Sequence, residues 1–173
     1  MKTLVIHPKD PTTDFLCDIY SDKNWTVINK HISKSDLRKH IKEHDRIVML
    51  GHGSEYGLFD LANDRFIINS KWVDMLRQKE CVCIWCNANI FFEKYKLSGF
   101  YTGMIVSELM EAYLYSLPTD IDLIEESNKL FATSIKESID SENMLEIAKS
   151  KYDRDKNLII DFNKENLYYN DSK

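Results

Sequence analysis

The sequence predicts an α/β fold with a mostly parallel central sheet, and three observations predict it. Short apolar runs at 2–7, 25–28, 46–50 and 81–85 are bounded by polar breaks and read as buried strands of a parallel sheet. Capped, amphipathic helical stretches lie between them through residue 95, the alternation of a doubly wound sheet with helices on both faces. The chain has 173 residues, which fits one domain over 1–173 with a substantial core.

The elements follow in order. Leu4, Val5 and Ile6 make the first strand, which stops at His7 and the rigid turn Pro8-Lys-Asp-Pro11. Thr12-Thr13-Asp14 reads as a helix cap, with Phe15, Leu16, Ile19 and Tyr20 as a short apolar face. Trp25 to Ile28 is the second strand, rich in β-branched and aromatic residues. Ser33 to Asp36 opens a polar helix with Leu37 and Ile41 on one side. Ile47 to Leu50 is the third strand and runs into Gly51-His52-Gly53.

A small hairpin is expected from Gly57–Leu61 and Phe66–Ile68, then a helix capped by Ser70, with Trp72, Val73 and Leu76 inward. Cys81 to Trp85 is the fourth strand and ends at Cys86. Asn87 and Asn89 lead into a helix with Ile90, Phe91 and Phe92, and Phe100 to Gly103 reads as a short fifth strand. Met104 to Leu117 has helical spacing, with Val106, Leu109, Met110 and Tyr113 on one face. Helices are expected from Thr119 to about Ile139 and from Glu142 to Lys151, with a terminal hairpin or edge strand over Leu158 to Tyr169.

Composition narrows the function classes. A net charge of −5 gives no general attraction to nucleic acid or an anionic membrane. No run reaches the about 18 apolar residues of a membrane span, and the first apolar run is too short for a signal peptide. Three of the four cysteines sit within six residues, two of them inside a strand, which is no secreted disulfide framework; a reducing cytoplasm is expected. All five glycines fall between residues 51 and 103, so the special backbone geometry is expected there.

Two strands stop on side chains that carry chemistry, His52 and Cys86. Functional groups in parallel sheets collect at the carboxyl ends of strands, and neighbouring strands lie about 4.8 Å apart. A thiol is mostly protonated at neutral pH, but an imidazole can take its proton and a helix N-terminus can stabilise the anion. The backbone N–H groups of Gly53 and Cys86 are then candidates for an oxyanion hole. Alone, His52 reads as a loop histidine satisfying a neighbour; its Gly-His-Gly setting after a buried strand favours function. Cys81 and Cys83 alternate within a strand and read as packing. A Cys-x-Cys-x-x-Cys metal site completed by His52 fits no common zinc spacing, so no metal or cofactor is expected. His40 and His44 read as solvated, and His7 is a weak candidate for the same cleft.

Ile47-Val-Met-Leu-Gly-His52-Gly53-Ser54 followed by Val82-Cys-Ile-Trp-Cys86-Asn87 resembles the caspase-like cysteine peptidases of clan CD, and within them the CHAT branch related to caspases and separase. Leu37 to Asp45 is also similar to that family's segment before the histidine strand. The likeness covers residues 2 to about 117, with the motifs in 45–90. It implies a caspase-like (flavodoxin-like) three-layer sandwich, His52 as general base, Cys86 as nucleophile, and a protein or peptide substrate. A regulatory protein partner is a further implication for so small a chain. The sequence departs from the family at Asn87-Ala88-Asn89, where many members have a small residue and then glycine.

The leading expectation is therefore a cysteine endopeptidase acting through a thioester. The alternative is an inactive fold serving as a protein-interaction module, docking through Phe91-Phe92, Phe100-Tyr101 and Tyr168-Tyr169. A nucleotide-binding domain ranks last, because no glycine-rich loop follows the first strand. Glu55, Asp60 or Asp120 near the cleft would favour a basic residue before the scissile bond.

Overall fold

The computed structural model describes residues 1–171. Its centre is a six-stranded sheet built from β1 (Thr3–Ile6), β2 (Thr26–Ile28), β3 (Arg46–Leu50), β7 (Glu80–Ile84), β8 (Ser98–Thr102) and β9 (Leu167–Asn170), in the order β2-β1-β3-β7-β8-β9. All neighbours pair in parallel except β8 and β9, which run antiparallel. A second sheet of β4 (Gly53–Ser54), β5 (Gly57–Asp60) and β6 (Arg65–Ile68) extends the expected hairpin by one short strand next to His52.

Strand alternation divides the core between the two faces of the large sheet. Leu4, Ile6, Ile47, Met49, Cys81 and Cys83 pack on one face. They meet Leu37 and Ile41 of α1 (Lys34–Glu43), Val73 and Leu76 of α2 (Val73–Leu76), and Phe91 and Phe92 of α3 (Ala88–Tyr95). Val5, Val48, Leu50, Val82 and Ile84 point the other way, toward Leu16 and Ile19 of a 3-10 helix (Pro11–Ile19) and toward α5 (Ile121–Ser138), α6 (Met144–Lys151) and α7 (Leu158–Glu165). Helices thus cover both faces, as the strand-helix alternation predicts. Cys81 and Cys83 are packing residues, as expected. Burial pushes the Cys81 thiol up to about 12 and raises Cys83 as well.

Several local expectations are corrected. The cap of the first helical stretch is Asp10, whose carboxylate accepts from Thr12 N–H with Pro11 next in line. Asn69, not Ser70, caps the turn before α2. The stretch 104–117 is helical only over α4 (Leu109–Leu114), which starts at the reciprocal Glu108/Glu111 capping box and ends before Ser116 at φ 54°. Its apolar residues do not all turn inward: Met110 and Tyr113 are 69% and 62% exposed. Leu158–Glu165 is helix rather than one arm of a hairpin, because Asn157 Oδ1 accepts from Ile159 and Ile160 N–H. His44 is buried, not solvated: its ring bridges His40 O at 2.6 Å and Thr26 Oγ1 at 2.8 Å, tying the end of α1 to β2.

One buried side chain holds the irregular segment after β8. Asn163 Oδ1 accepts from Val106 N–H at 2.7 Å, and its Nδ2 donates to Val106 O at 2.8 Å and Tyr152 Oη at 3.0 Å. Replacing Asn163 with alanine leaves both Val106 backbone groups unpaired in the interior. A loss of about 2–4 kcal/mol is expected in urea denaturation.

Candidate active site

The pairing of β3 with β7 sets the geometry. Its register joins Arg46 to Glu80, Ile47 to Cys81, Val48 to Val82, Met49 to Cys83 and Leu50 to Ile84, a constant offset of 34 residues. Gly51 N–H donates to Ile84 O at 3.1 Å and carries the ladder one step past β3. His52 and Cys86 have the same offset, so each leaves the sheet at the same level, two residues beyond its strand. Both line one narrow cleft of about 30 Å³, together with Thr13, Trp85, Ile105 and Glu111. A space of that size holds about one water molecule.

The two side chains are engaged with other partners. Thr12 Oγ1 donates to Asp10 Oδ1 at 2.6 Å and lies 2.7 Å from His52 Nε2. A hydroxyl has one proton, and this one is given to the carboxylate, so Thr12 accepts from His52 Nε2–H. In the neutral ring the lone pair is then on Nδ1. Asp10 Oδ1 itself is 3.6 Å from Nε2, and the Thr12 hydroxyl holds the Asp10 carboxyl below the usual carboxylate range. Neither Asp10 nor Thr12 was among the site residues expected from the sequence; both read there as parts of a turn and a cap.

Cys86 Sγ–H donates to Ile105 O at 3.5 Å. Burial pushes its thiol up to about 11, and the Glu111 carboxylate beside it acts in the same direction. Glu111 is fixed there by Ser107 N–H, Ser107 Oγ–H and Glu108 N–H. It is the acidic side chain lining the cleft among the described residues. The three named from sequence lie elsewhere. Asp60 is buried beside Asn63 and Arg65, Asp120 caps α5, and Glu55 occupies the turn between β4 and β5.

The backbone around the pair is more constrained than the glycines alone suggested. Phe59 N–H donates to His52 O at 2.8 Å, which makes Gly53 and Leu58 the next, non-hydrogen-bonded pair of the β4–β5 ladder. The Gly53 N–H therefore points away from β5. A side chain at Gly53 would meet Trp85 Cδ1 at 2.2 Å, and Trp85 Nε1–H donates to Ser54 O at 3.0 Å. Glycine is needed here so that the indole preceding Cys86 can lie on the histidine loop. Asn87 is not a side-chain cap of α3: it sits at φ 64°, ψ 26°, and its N–H donates to Gly103 O. Asparagine tolerates that left-handed conformation, which glycine would adopt freely.

His7 lies behind this site rather than in it. It is buried between Tyr20 Oη at 3.0 Å and Thr13 Oγ1 at 3.2 Å, and burial lowers its ring to about 4. The imidazole is neutral at physiological pH and works as a structural link between β1 and the following helix.

Neither a scan against protein-family models nor a search of curated proteins finds a match for this chain. Among the described residues no helix is long and apolar enough to cross a membrane.

Proposed function

We propose that the protein is a caspase-like cysteine peptidase that cleaves a protein or peptide substrate with Cys86 as nucleophile and His52 as base. The observation that carries this reading is the shared register of the two residues at the ends of adjacent parallel strands, with Nδ1 of His52 left as the basic nitrogen. In the resting state the thiol is held on Ile105 O. Turning from that carbonyl toward His52 lets the Sγ proton pass to Nδ1. The thiolate then adds to the scissile carbonyl, and the N–H groups of Gly53 and Cys86 receive the oxyanion. Collapse expels the amine with the proton from His52 and leaves a thioester, which water hydrolyses with the same ring as base. Asp10 and Thr12 are positioning residues that keep the imidazole in one tautomer.

An electrophilic peptide probe tests this. Cys86 is expected to be labelled, Cys86→Ala to abolish the label, and His52→Ala to slow it by about 10²–10⁴-fold with an unchanged circular dichroism spectrum. Label retained in Cys86→Ala would sink the assignment. Profiling a peptide library against wild type and Cys86→Ala then reports the preferred residue before the scissile bond.

A second reading, an inactive interaction module, is favoured by a specific surface. The aromatic pairs named from sequence do not supply it: Phe91, Phe92 and Phe100 are buried in the core, Tyr101 nearly so, and Tyr168 and Tyr169 are half-buried. Several exposed apolar residues lie instead on and after α4: Met110, Tyr113, Leu114, Tyr115 and Ile121.

A further inference from the structure

A second pocket, of about 190 Å³, opens between the start of α1, strand β6 and the turn before α2. Its lining is disjoint from that of the Cys86 cleft. Phe66 and the buried Trp72 give it an apolar wall, and Lys34, Arg38, Arg65 and Lys71 line it with four cations. Among the described residues no aspartate or glutamate lines it.

Some cations of this chain, such as Lys23, Lys136, Lys151 and Lys164, find a carboxylate within ion-pair distance. Around this pocket only Arg65 does so among the described residues, with Asp60 at a long 3.9 Å, and the Arg65 Nε atom is buried without a hydrogen-bond partner. Its Nη2 is turned to Ile32 O at 3.3 Å, which holds the guanidinium at the pocket. Arg38 lies 5.9 Å from the Trp72 ring centroid. The nearby acid on α1, Asp36, accepts from Ser33 Oγ–H at 2.7 Å. The first turn of α1 adds its own partial positive charge.

Unneutralised cations grouped around an apolar wall create a strong local positive potential, and they repel one another unless an anion sits among them. An apolar cavity of about 150 Å³ is enough for one benzene ring. We propose that this pocket binds an aryl phosphate, with one planar ring against Phe66 and Trp72 and the phosphate among Lys34, Arg38, Arg65 and Lys71. The charge-assisted contacts favour a dianion, and the volume admits one ring rather than a dinucleotide.

Calorimetric titration of the whole chain with phenyl phosphate tests the proposal. Saturable binding is expected, at least about tenfold weaker for phenol and for inorganic phosphate, which lack one half of the ligand each. The double variant Arg38→Gln/Lys71→Gln changes two exposed side chains and is expected to weaken phenyl phosphate binding by about tenfold or more. N-acetyl phosphotyrosine amide separates the two sources of such a group: tighter binding than phenyl phosphate points to a modified peptide, equal binding to a free small molecule. Absence of saturation to about 10 mM, undiminished binding by the double variant, or inorganic phosphate binding as tightly as phenyl phosphate would each overturn it. Because none of these readouts involves Cys86, the outcome is independent of the proposed peptidase activity.

Discussion

Gly99→Ala is expected to cost about 3 kcal/mol or more, a large share of the 5–15 kcal/mol that holds a typical domain together. Gly99 is the second residue of β8 and sits at φ 121°, a conformation that residues with a side chain rarely adopt. A Cβ there would stand 2.1 Å from Cys81 O and 3.0 Å from Cys81 N on the paired strand. Both obstacles are backbone, so no rotamer change relieves them. The alternatives are to change the φ of Gly99 or to push β8 away from β7, and either breaks ladder hydrogen bonds in the interior of the sheet. A shift in the urea midpoint with an unchanged denaturant slope would measure the loss. A variant within about 1 kcal/mol of wild type would show that the strand can relax in a way these contacts do not allow.

The second large effect is on the reactivity of Cys86. With its thiol pushed up to about 11 from an ordinary 9, the thiolate fraction at neutral pH is lower by about a hundredfold. A more basic thiolate is intrinsically more nucleophilic, which recovers about tenfold. Alkylation by iodoacetamide in the resting protein is therefore expected to be about tenfold slower than for an unperturbed thiol near pH 7. It should keep rising by about tenfold per pH unit beyond pH 9, where an ordinary cysteine levels off. The sign follows from burial and from Glu111, both of which oppose the anion. Mass-spectrometric rates, with Cys86→Ala as control, check it. A plateau near neutral pH would mean that the thiol rests on His52 rather than on Ile105 O. If substrate releases the thiol from Ile105, a bound non-cleavable peptide should move the plateau downward.

The sheet and the emergence of His52 and Cys86 after neighbouring strands were legible because both depend on patterns short in sequence. Five-residue apolar runs mark buried strands, and a polar or glycine-rich stop marks where each one leaves the sheet. The parts that were missed depend on contacts between distant segments. Thr12 and Asp10 read as a cap, which they are, yet the same hydroxyl also holds His52 forty residues away. The segment 104–108 has helical spacing but is held non-helical by Asn163, fifty-seven residues later. Leu158 to Phe162 is β-branched and apolar enough for a strand. The buried positions of α7, Ile159, Ile160 and Asn163, fall on one helical face, and that face is visible only once its neighbours are placed. The basic pocket could not be read at all, since Lys34, Arg38, Arg65 and Lys71 come together only when the start of α1, β6 and the turn before α2 meet in the fold.

The constant offset between β3 and β7 has a bearing on how this chain can change over time. The interval from His52 to Cys86 is spent mostly on a hairpin with an exposed tip and a short helix, and the length of that tip does not set where either side chain emerges. Residues can be gained or lost around Ala62 to Asp64, and the count of 34 then drifts while the two groups stay level. One residue removed inside β7 behaves differently: it turns Cys86 to the opposite face of the sheet, away from the cleft that His52 lines. A search for kindred chains should therefore follow the two strands and their stops, and let the distance between them vary.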